Sequence, residues 1–372
     1  TGSPEPLGLT LTRDGVNVAV FSANAQSIDV CLFDATGDAE VARIALPART
    51  GDVFHGFIAG VTALTRYGLR AHGPWAPQDG HRFNHDKLLV DPYVRALDRP
   101  FALHPSMFGH PGDGSRTRVD SAPFMPKGIL LGDSVPRFDT RPHVPWGETV
   151  LYEMHVRGFT QRHPGVPASL RGTCAGLAHP AAIEHLTRLG ITTVELLPVA
   201  AAIDEPVLAR AGLTNYWGYN TVGWFAPDPR LAPGGIDELR RCVAALQGAG
   251  IEVLLDVVFN HSGEGDDQGP TVSLRGLDNA TYYRTVPGAA HRYIDETGCG
   301  NTLALDRAPV LRLVLDALRY YAQVAGVDGF RFDLAATLGR RPGGFDAEAP
   351  LLTAIAQDPL LRDLKLVAEP WD

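Results

Sequence analysis

Cysteine is scarce and unpatterned in this chain: four residues in 372, Cys31, Cys174, Cys242 and Cys299, none of them in a CxxC pair. That argues against a disulfide-stapled secreted fold and predicts free thiols in a reducing compartment. Positive charge is in deficit, with 33 Lys and Arg against 42 Asp and Glu and a net charge of -9. Nucleic acid or an anionic membrane would want a basic face, so neither is expected as a partner. No apolar run approaches the ~20 residues of a membrane span. The opening "TGSPEPLGLTL" lacks the basic and apolar regions of a signal peptide, which predicts a cytoplasmic protein. It also lacks a starting methionine, so a start that is processed, engineered or cut is expected. Several enzyme signatures are missing too: there is no P-loop, no GxGxxG after a strand, no HExxH and no GxSxG. The two histidines of "HPAAIEH" (179–185) do not share a helix face well, and the acidic loop "GEGDDQG" (263–269) reads as solvated. No metal and no cofactor is therefore expected.

What is present divides near residue 146. Before it, "GVNVAVFS" (15–22) and "SIDVCLFD" (27–34) alternate apolar and polar residues. "VARIAL" (41–46), "DVFHGFIAG" (52–60) and "TRYGLRAHGPW" (65–75) follow at the spacing of a β-sandwich, placed in residues 1–100. Residues 101–146 are rich in Pro, Gly and Asp and read as a linker packed on the surface, with one strand at 129–132. From 147 to 372 a helical pattern, a glycine and a buried-looking strand recur. "AAIEHLTRLG" leads to "ITTVELLPV", "IDELRRCVAALQGAG" to "IEVLLDVVFN", and "PVLRLVLDALRYYAQVAG" to "VDGFRFDLA". Leu311, Val314, Leu315, Leu318 and Ala322 fall on one face of the last helix. Gly190, Gly250 and Gly326 stand where a helix needs a left-handed stop. With "TVLYEMHVRGF" (149–159) before and "LKLVAEPW" after, the alternation predicts five parallel strands and four helices.

Polar residues cluster at the carboxyl ends of these strands, where a β/α barrel keeps its active site. Arg331 and Asp333 are two apart and share a side, as do Asp256 and Asn260 at four apart. Glu369 ends the next strand. Adjacent strands lie ~4.8 Å apart. Carboxylates on their ends can approach the ~5–5.5 Å separation of retaining glycosidases. Arg331 is expected to keep Asp333 ionised, and a less polar setting beside Pro370 and Trp371 to hold Glu369 protonated. The aromatics of "NYWGYN" (215–220) are either core or sugar-stacking rings.

"DVVFNH" (256–261), "GFRFDLA" (329–335) and "AEPWD" (368–372) resemble three of the four signatures of the α-amylase superfamily of glycoside hydrolases. The stretches from "LYEMHVRGFT" to "NYWGYNTVGWFAPDPR" resemble bacterial glycogen debranching enzymes of the isoamylase type. "RYGLRAHGPWAPQDGHRFNHDKLLVDPY" (66–93) resembles the carbohydrate-binding, immunoglobulin-like module that precedes their barrel. The resemblance covers essentially the whole chain. It implies an immunoglobulin-like β-sandwich followed by a (β/α)8 TIM barrel, of which the first five strands are here. It further implies Asp333 as nucleophile and Glu369 as general acid/base. Arg331 would orient Asp333, His261 would contact the sugar, Tyr219 would stack beneath it, and Asp256 and Asn220 would be structural residues of the site. The implied reaction is hydrolysis of α-1,6 branch linkages in glycogen, limit dextrin or another branched α-glucan. Isoamylases, trehalose-releasing hydrolases and branching enzymes share the signatures, and a non-catalytic glucan-binding protein is the alternative of another class. The family's third carboxylate, on a later strand, and its C-terminal β domain have no counterpart here. A chain truncated at its C-terminus, unstable and inactive alone, is the expectation.

Overall fold

A computed structural model of the protein describes residues 2–132, 141–341 and 343–370. The amino-terminal part is built from hairpins. Strands β1 (Gly8–Thr12), β2 (Gly15–Phe21), β3 (Ser27–Phe33), β4 (Glu40–Ala45), β5 (Ala48–Thr50), β6 (Val53–Ala59), β7 (Arg66–His72) and β8 (Gly128–Ile129) form two antiparallel sheets. Their orders are β1-β2-β6-β5 and β8-β7-β3-β4. Val16, Val18 and Val20 of β2 and Ile28 and Val30 of β3 lie in one buried core, as residues two apart on a strand must. The sequence patterns foretell β2, β3, β4, β6 and β7. They miss β1 and β5, because "GLTLT" and "ART" are too short to carry an alternation signal of their own. The strand expected at 129–132 is two residues long and pairs with Arg66 and Tyr67.

Residues 101–132 do not behave as a surface linker. Phe101, Met107, Ser121, Met125 and Lys127 are buried. The Lys127 ammonium donates to the carbonyls of Ala122 and Met125 at 2.7 and 2.6 Å. Lys87 donates to those of Ser106 and Val119 at 2.7 and 2.6 Å, and burial lowers its pKa to about 8. Backbone carbonyls of the Pro- and Gly-rich segment thus solvate two buried cations, a long-range use that composition cannot announce. Residues 133–140, also within that expected linker, lie outside the described residues.

Among the described residues, five strands form one parallel sheet: β9 (Leu151–Met154), β10 (Thr193–Leu196), β11 (Glu252–Val257), β12 (Gly329–Phe332) and β13 (Lys365–Ala368), in that order. Helices α1 (Pro180–Arg188), α2 (Gly235–Gly248), α4 (Ala308–Tyr320) and α5 (Pro350–Gln357) alternate with them. A further helix, α3 (Leu274–Tyr282), follows the loop after β11. The expected stops are there: Gly190, Gly250 and Gly326 have φ of 74°, 79° and 76°. The buried face of α4 is Val310, Leu313, Val314, Ala317 and Leu318, with Leu311 and Leu315 only half-buried. The apolar stripe there is wide, so packing rather than periodicity sets its centre. Strands β10 and β11 are wholly buried, whereas the edge strands β9 and β13 are partly exposed.

The two halves interlock through α3 and its neighbours. Asp278 accepts hydrogen bonds from the Ala23 N–H at 2.7 Å and the Asn24 amide at 2.8 Å, and Ser22 donates to the Leu277 carbonyl at 2.7 Å. At the amino-terminal end of the sheet, Lys365 pairs with Glu252, and Thr193 donates to the same carboxylate at 2.9 Å. The opposite end carries the acids described next.

Candidate active site

Strand register assembles the site. In the parallel ladder Asp256 pairs with Arg331, and Phe332 with Ala368. Asp333 and Glu369 therefore follow the last paired residues of two adjacent strands. Their backbones remain tied, since Glu369 N–H donates to Phe332 at 3.1 Å and Asp333 N–H to Val257 at 3.1 Å. One guanidinium joins the acids. Arg331 Nη2 lies 2.9 Å from Glu369 Oε1, and Nη1 lies 3.1 Å from Asp256 and 3.4 Å from Asp333 Oδ1. Arg331 Nε also faces Glu195 at 3.6 Å.

Arg331 thus orients the acids as a group, and its contact with Asp333 is the longest of the three made by its Nη atoms. The close partner of Asp333 is Asn260, fully buried, whose Nδ2 donates to the carboxylate and to the backbone carbonyl of Asp333, both at 2.8 Å. Burial drives the Asp333 carboxyl upward; Asn260 and, as expected, Arg331 pull it back, and Glu369 adds to the rise. Burial likewise raises Asp256 to about 8 and Glu195 to about 7. Asp256, Glu195 and Asp333 are thus all raised by burial beside one cation, which makes them costly to ionise together. Glu369 sits in an ion pair rather than an apolar setting, and Trp371, expected beside it, lies outside the described residues. Its Oε2 accepts the backbone N–H of Leu334 at 2.9 Å. Leu334 has φ 43°, the left-handed region that a Leu rarely adopts, and this turn aims the N–H at Glu369.

Tyr219, half-buried, donates its hydroxyl to Asp256 at 2.5 Å. Asn220 follows it and lines a cleft of about 710 Å³ with Glu205, Asp295 and Cys299. His261 is buried and its Nδ1–H is directed at Asn260 Oδ1, which leaves Nε2 without a hydrogen bond. Burial lowers its pKa to about 4, so the ring is neutral at neutral pH. The "NYWGYN" loop is not core: Tyr216 and Trp217 are 47% and 58% exposed, and His155 stacks on Tyr216 at 4.1 Å. All seven residues singled out from the sequence (Asp333, Glu369, Arg331, His261, Tyr219, Asn220, Asp256) lie at or beyond the carboxyl ends of the sheet strands or in the loop before Thr221. Hydrogen bonds and ion pairs link five of them, with Asn260 carrying the connection to His261; Asn220 lines the cleft beside them. Sequence reasoning missed Glu195 and the role of Asn260. Glu195 had a signal, being the lone acid in the apolar run "ITTVELLPV" of a strand buried on both faces.

Residues 6–94 match the family model for Carbohydrate-binding module 48 (Isoamylase N-terminal domain). The whole chain is 52% identical over 378 residues to the Glycogen debranching enzyme of Yersinia enterocolitica serotype O:8, covering 56% of that relative. It is 48% identical over 374 residues to the protein of the same name from Erwinia tasmaniensis, again covering 56%. The chain thus spans about half the length of the curated relatives it matches. The fold is similar to pullulanase from Bacillus acidopullulyticus, with 22% identity, a TM-score of 0.73, and coverage of 100% of this chain and 42% of that one. A pullulanase from Anoxybacillus sp. LM18-11, solved with maltotetraose, is similar at 24% identity and a TM-score of 0.72, over 100% of this chain and 50% of that one.

Proposed function

We propose that this chain carries the nucleophile and the general acid/base of a glycogen debranching enzyme that hydrolyses α-1,6 branch linkages with retention. The carrying observation is the single guanidinium of Arg331, which bridges Asp333 and Glu369 at the ends of adjacent parallel strands. About 50% identity to relatives named for debranching supports the reaction class. The substrate is glycogen, limit dextrin or another branched α-glucan, bound by stacking and hydrogen bonds and without a cofactor.

In the mechanism, the Asp333 carboxylate attacks the anomeric carbon of the branch glucose. Glu369 donates its proton to the departing glycosidic oxygen, and a glycosyl ester forms on Asp333. Glu369, now ionised, takes a proton from water, which attacks the same carbon and frees Asp333. Asn260 fixes one oxygen of Asp333, and the other faces the sugar. Tyr219 lies beneath the ring, and His261 backs the site through its bond to Asn260, the near partner of Asp333. Asp256 and Asn220 hold Tyr219 and the loop in place. Residues 1–100 serve as a carbohydrate-binding β-sandwich. Residues 147–372 form the first five strands of an incomplete (β/α)8 barrel, and a third carboxylate is supplied by the length that the relatives have and this chain does not span.

The test is a debranching assay on phosphorylase-limit dextrin, with the protein as its gene encodes it. Linear maltooligosaccharides should be released, and Asp333→Asn should lower kcat by at least about a thousandfold. An unchanged rate in that variant would remove Asp333 from the mechanism. Trehalose or new branches as product would assign another reaction of the superfamily.

A further inference from the structure

Arg275 stands in the first turn of α3 and is wholly buried. Its guanidinium turns back to the loop that precedes the helix. Nη1 donates to the carbonyls of Gly269 and Pro270 at 2.5 and 3.1 Å, and Nη2 to those of Gly265 and Asp266 at 3.0 and 2.5 Å. A buried cation must be matched by acceptors, and here the loop backbone supplies them. The same four residues line the cleft that Asn220 borders. One face of the loop thus grips the cation while the other forms a wall of the cleft. Glu264, buried at the start of the loop, is the counterpart. Its Oε1 accepts the N–H groups of Val272 and Ser273 at 2.7 and 2.8 Å, and its Oε2 accepts that of Arg275 at 2.8 Å. The clasp is reciprocal: the acid of the loop caps the start of α3, and the cation of the helix closes the loop.

We propose that Arg275 is the built-in cation of this loop, a positioning residue for the cleft wall, and that its carbonyl cage takes a free guanidinium ion once the side chain is cut back. The role at the cleft rests on the debranching reading; the cage does not. Each terminal nitrogen bridges a pair of carbonyls, which a planar fork can do and a single ammonium cannot. A neutral, shortened side chain would deprive those carbonyls of this donor, and the loop would have to turn them toward water. Turning them would carry the opposite face of the loop out of the cleft wall. A free guanidinium ion has the shape, the charge and the donors of the group removed, so it should close the loop again.

The experiment uses the protein as its gene encodes it, with maltotetraose binding followed by calorimetry and hydrolysis on limit dextrin. Arg275→Ala should weaken maltotetraose binding and raise KM about tenfold each, while kcat changes by less than about twofold. Guanidinium chloride at about 50 mM, far below denaturing levels, should restore most of the loss, and sodium chloride or urea at the same concentration should not. Arg275→Met, which keeps the aliphatic stem, guards against a failure of the Ala variant to fold. Both variants are also melted with and without guanidinium, which should raise their melting temperature and not that of the wild type. Wild-type affinity in both variants would overturn the proposal. So would a loss that guanidinium repairs no better than sodium chloride and urea do, or variants that stay unfolded with guanidinium present. Rescue of binding and melting in a protein that leaves limit dextrin uncut would keep the cage and remove the debranching reading.

Discussion

Asn260 supports the candidate nucleophile more closely than any cation does. Its amide is buried and makes two 2.8 Å bonds to Asp333. Asn260→Ala should destabilise the fold by about 1–3 kcal/mol, since a buried carboxylate is left with an unmade bond. It should also lower kcat roughly a hundredfold, as loss of a preorganised donor does. A urea midpoint and a rate constant measured together would separate the effects; lost stability with an unchanged rate would make Asn260 purely structural. The pH dependence of stability is set here too. Asp256 titrates near 8 in the fold against an ordinary 3.8, so its contribution is full below the ordinary value and is lost as pH rises through 8. Glu195, at about 7, acts in the same sense. His261, lowered to about 4 from 6.5, costs stability only as pH falls below 6.5. Between pH 6.5 and 8 the acids act unopposed by His261. The unfolding free energy should fall across that window, by up to about 1.4 kcal/mol per pH unit for each proton involved, and the melting temperature with it. Asp256→Asn should flatten the decline, and a profile unchanged by the variant would show that Asp256 is already ionised.

At the scale of elements, the site depends on how closely β12 and β13 run. Gly329 pairs with Lys365, and a Cβ on Gly329 would lie 1.9 Å from the Lys365 carbonyl oxygen. Backbone cannot yield there as a side-chain tip can. Gly329→Ala should part the two strands, draw Glu369 from Arg331 and cost about 3 kcal/mol. Denaturant unfolding checks the cost, and a wild-type midpoint would show that the strands can shift. The left-handed turn at Leu334 belongs to the same junction, since it delivers the N–H that Glu369 accepts.

At the scale of the molecule, the parallel sheet exposes its two edges. Trp146, Val150 and Leu151 are exposed beside β9. An apolar concavity of about 230 Å³ opens beside β13, bordered by Phe332, Leu351, Ile355 and Leu366. Open strand edges and apolar patches recruit other chains. These 372 residues expressed by themselves should therefore aggregate and should not debranch limit dextrin, measured by light scattering after size exclusion and by product analysis. A monodisperse, active monomer would show that five strands suffice. Among the described residues no helix is long and apolar enough to cross a membrane.

Much of this architecture is written locally. Alternation over seven residues marks β2 and β3, glycines at 190, 250 and 326 mark helix ends, and the acids of "FRFDLA" and "VAEPW" mark the carboxyl ends of strands, because periodicity and turn chemistry act within a few residues. Those features alone bring Asp333, Glu369, Arg331 and Asp256 to one end of one sheet. The tertiary structure decides what they do to each other. Which acid Arg331 holds most closely, that Asn260 rather than Arg331 is the near partner of Asp333, and that Glu195 joins the cluster all depend on strands brought together from positions 195, 256, 331 and 369. So does the burial of residues 101–132, whose carbonyls solvate Lys87 and Lys127. Burial and charge proximity act through space at a few ångströms, and no run of neighbouring residues encodes them.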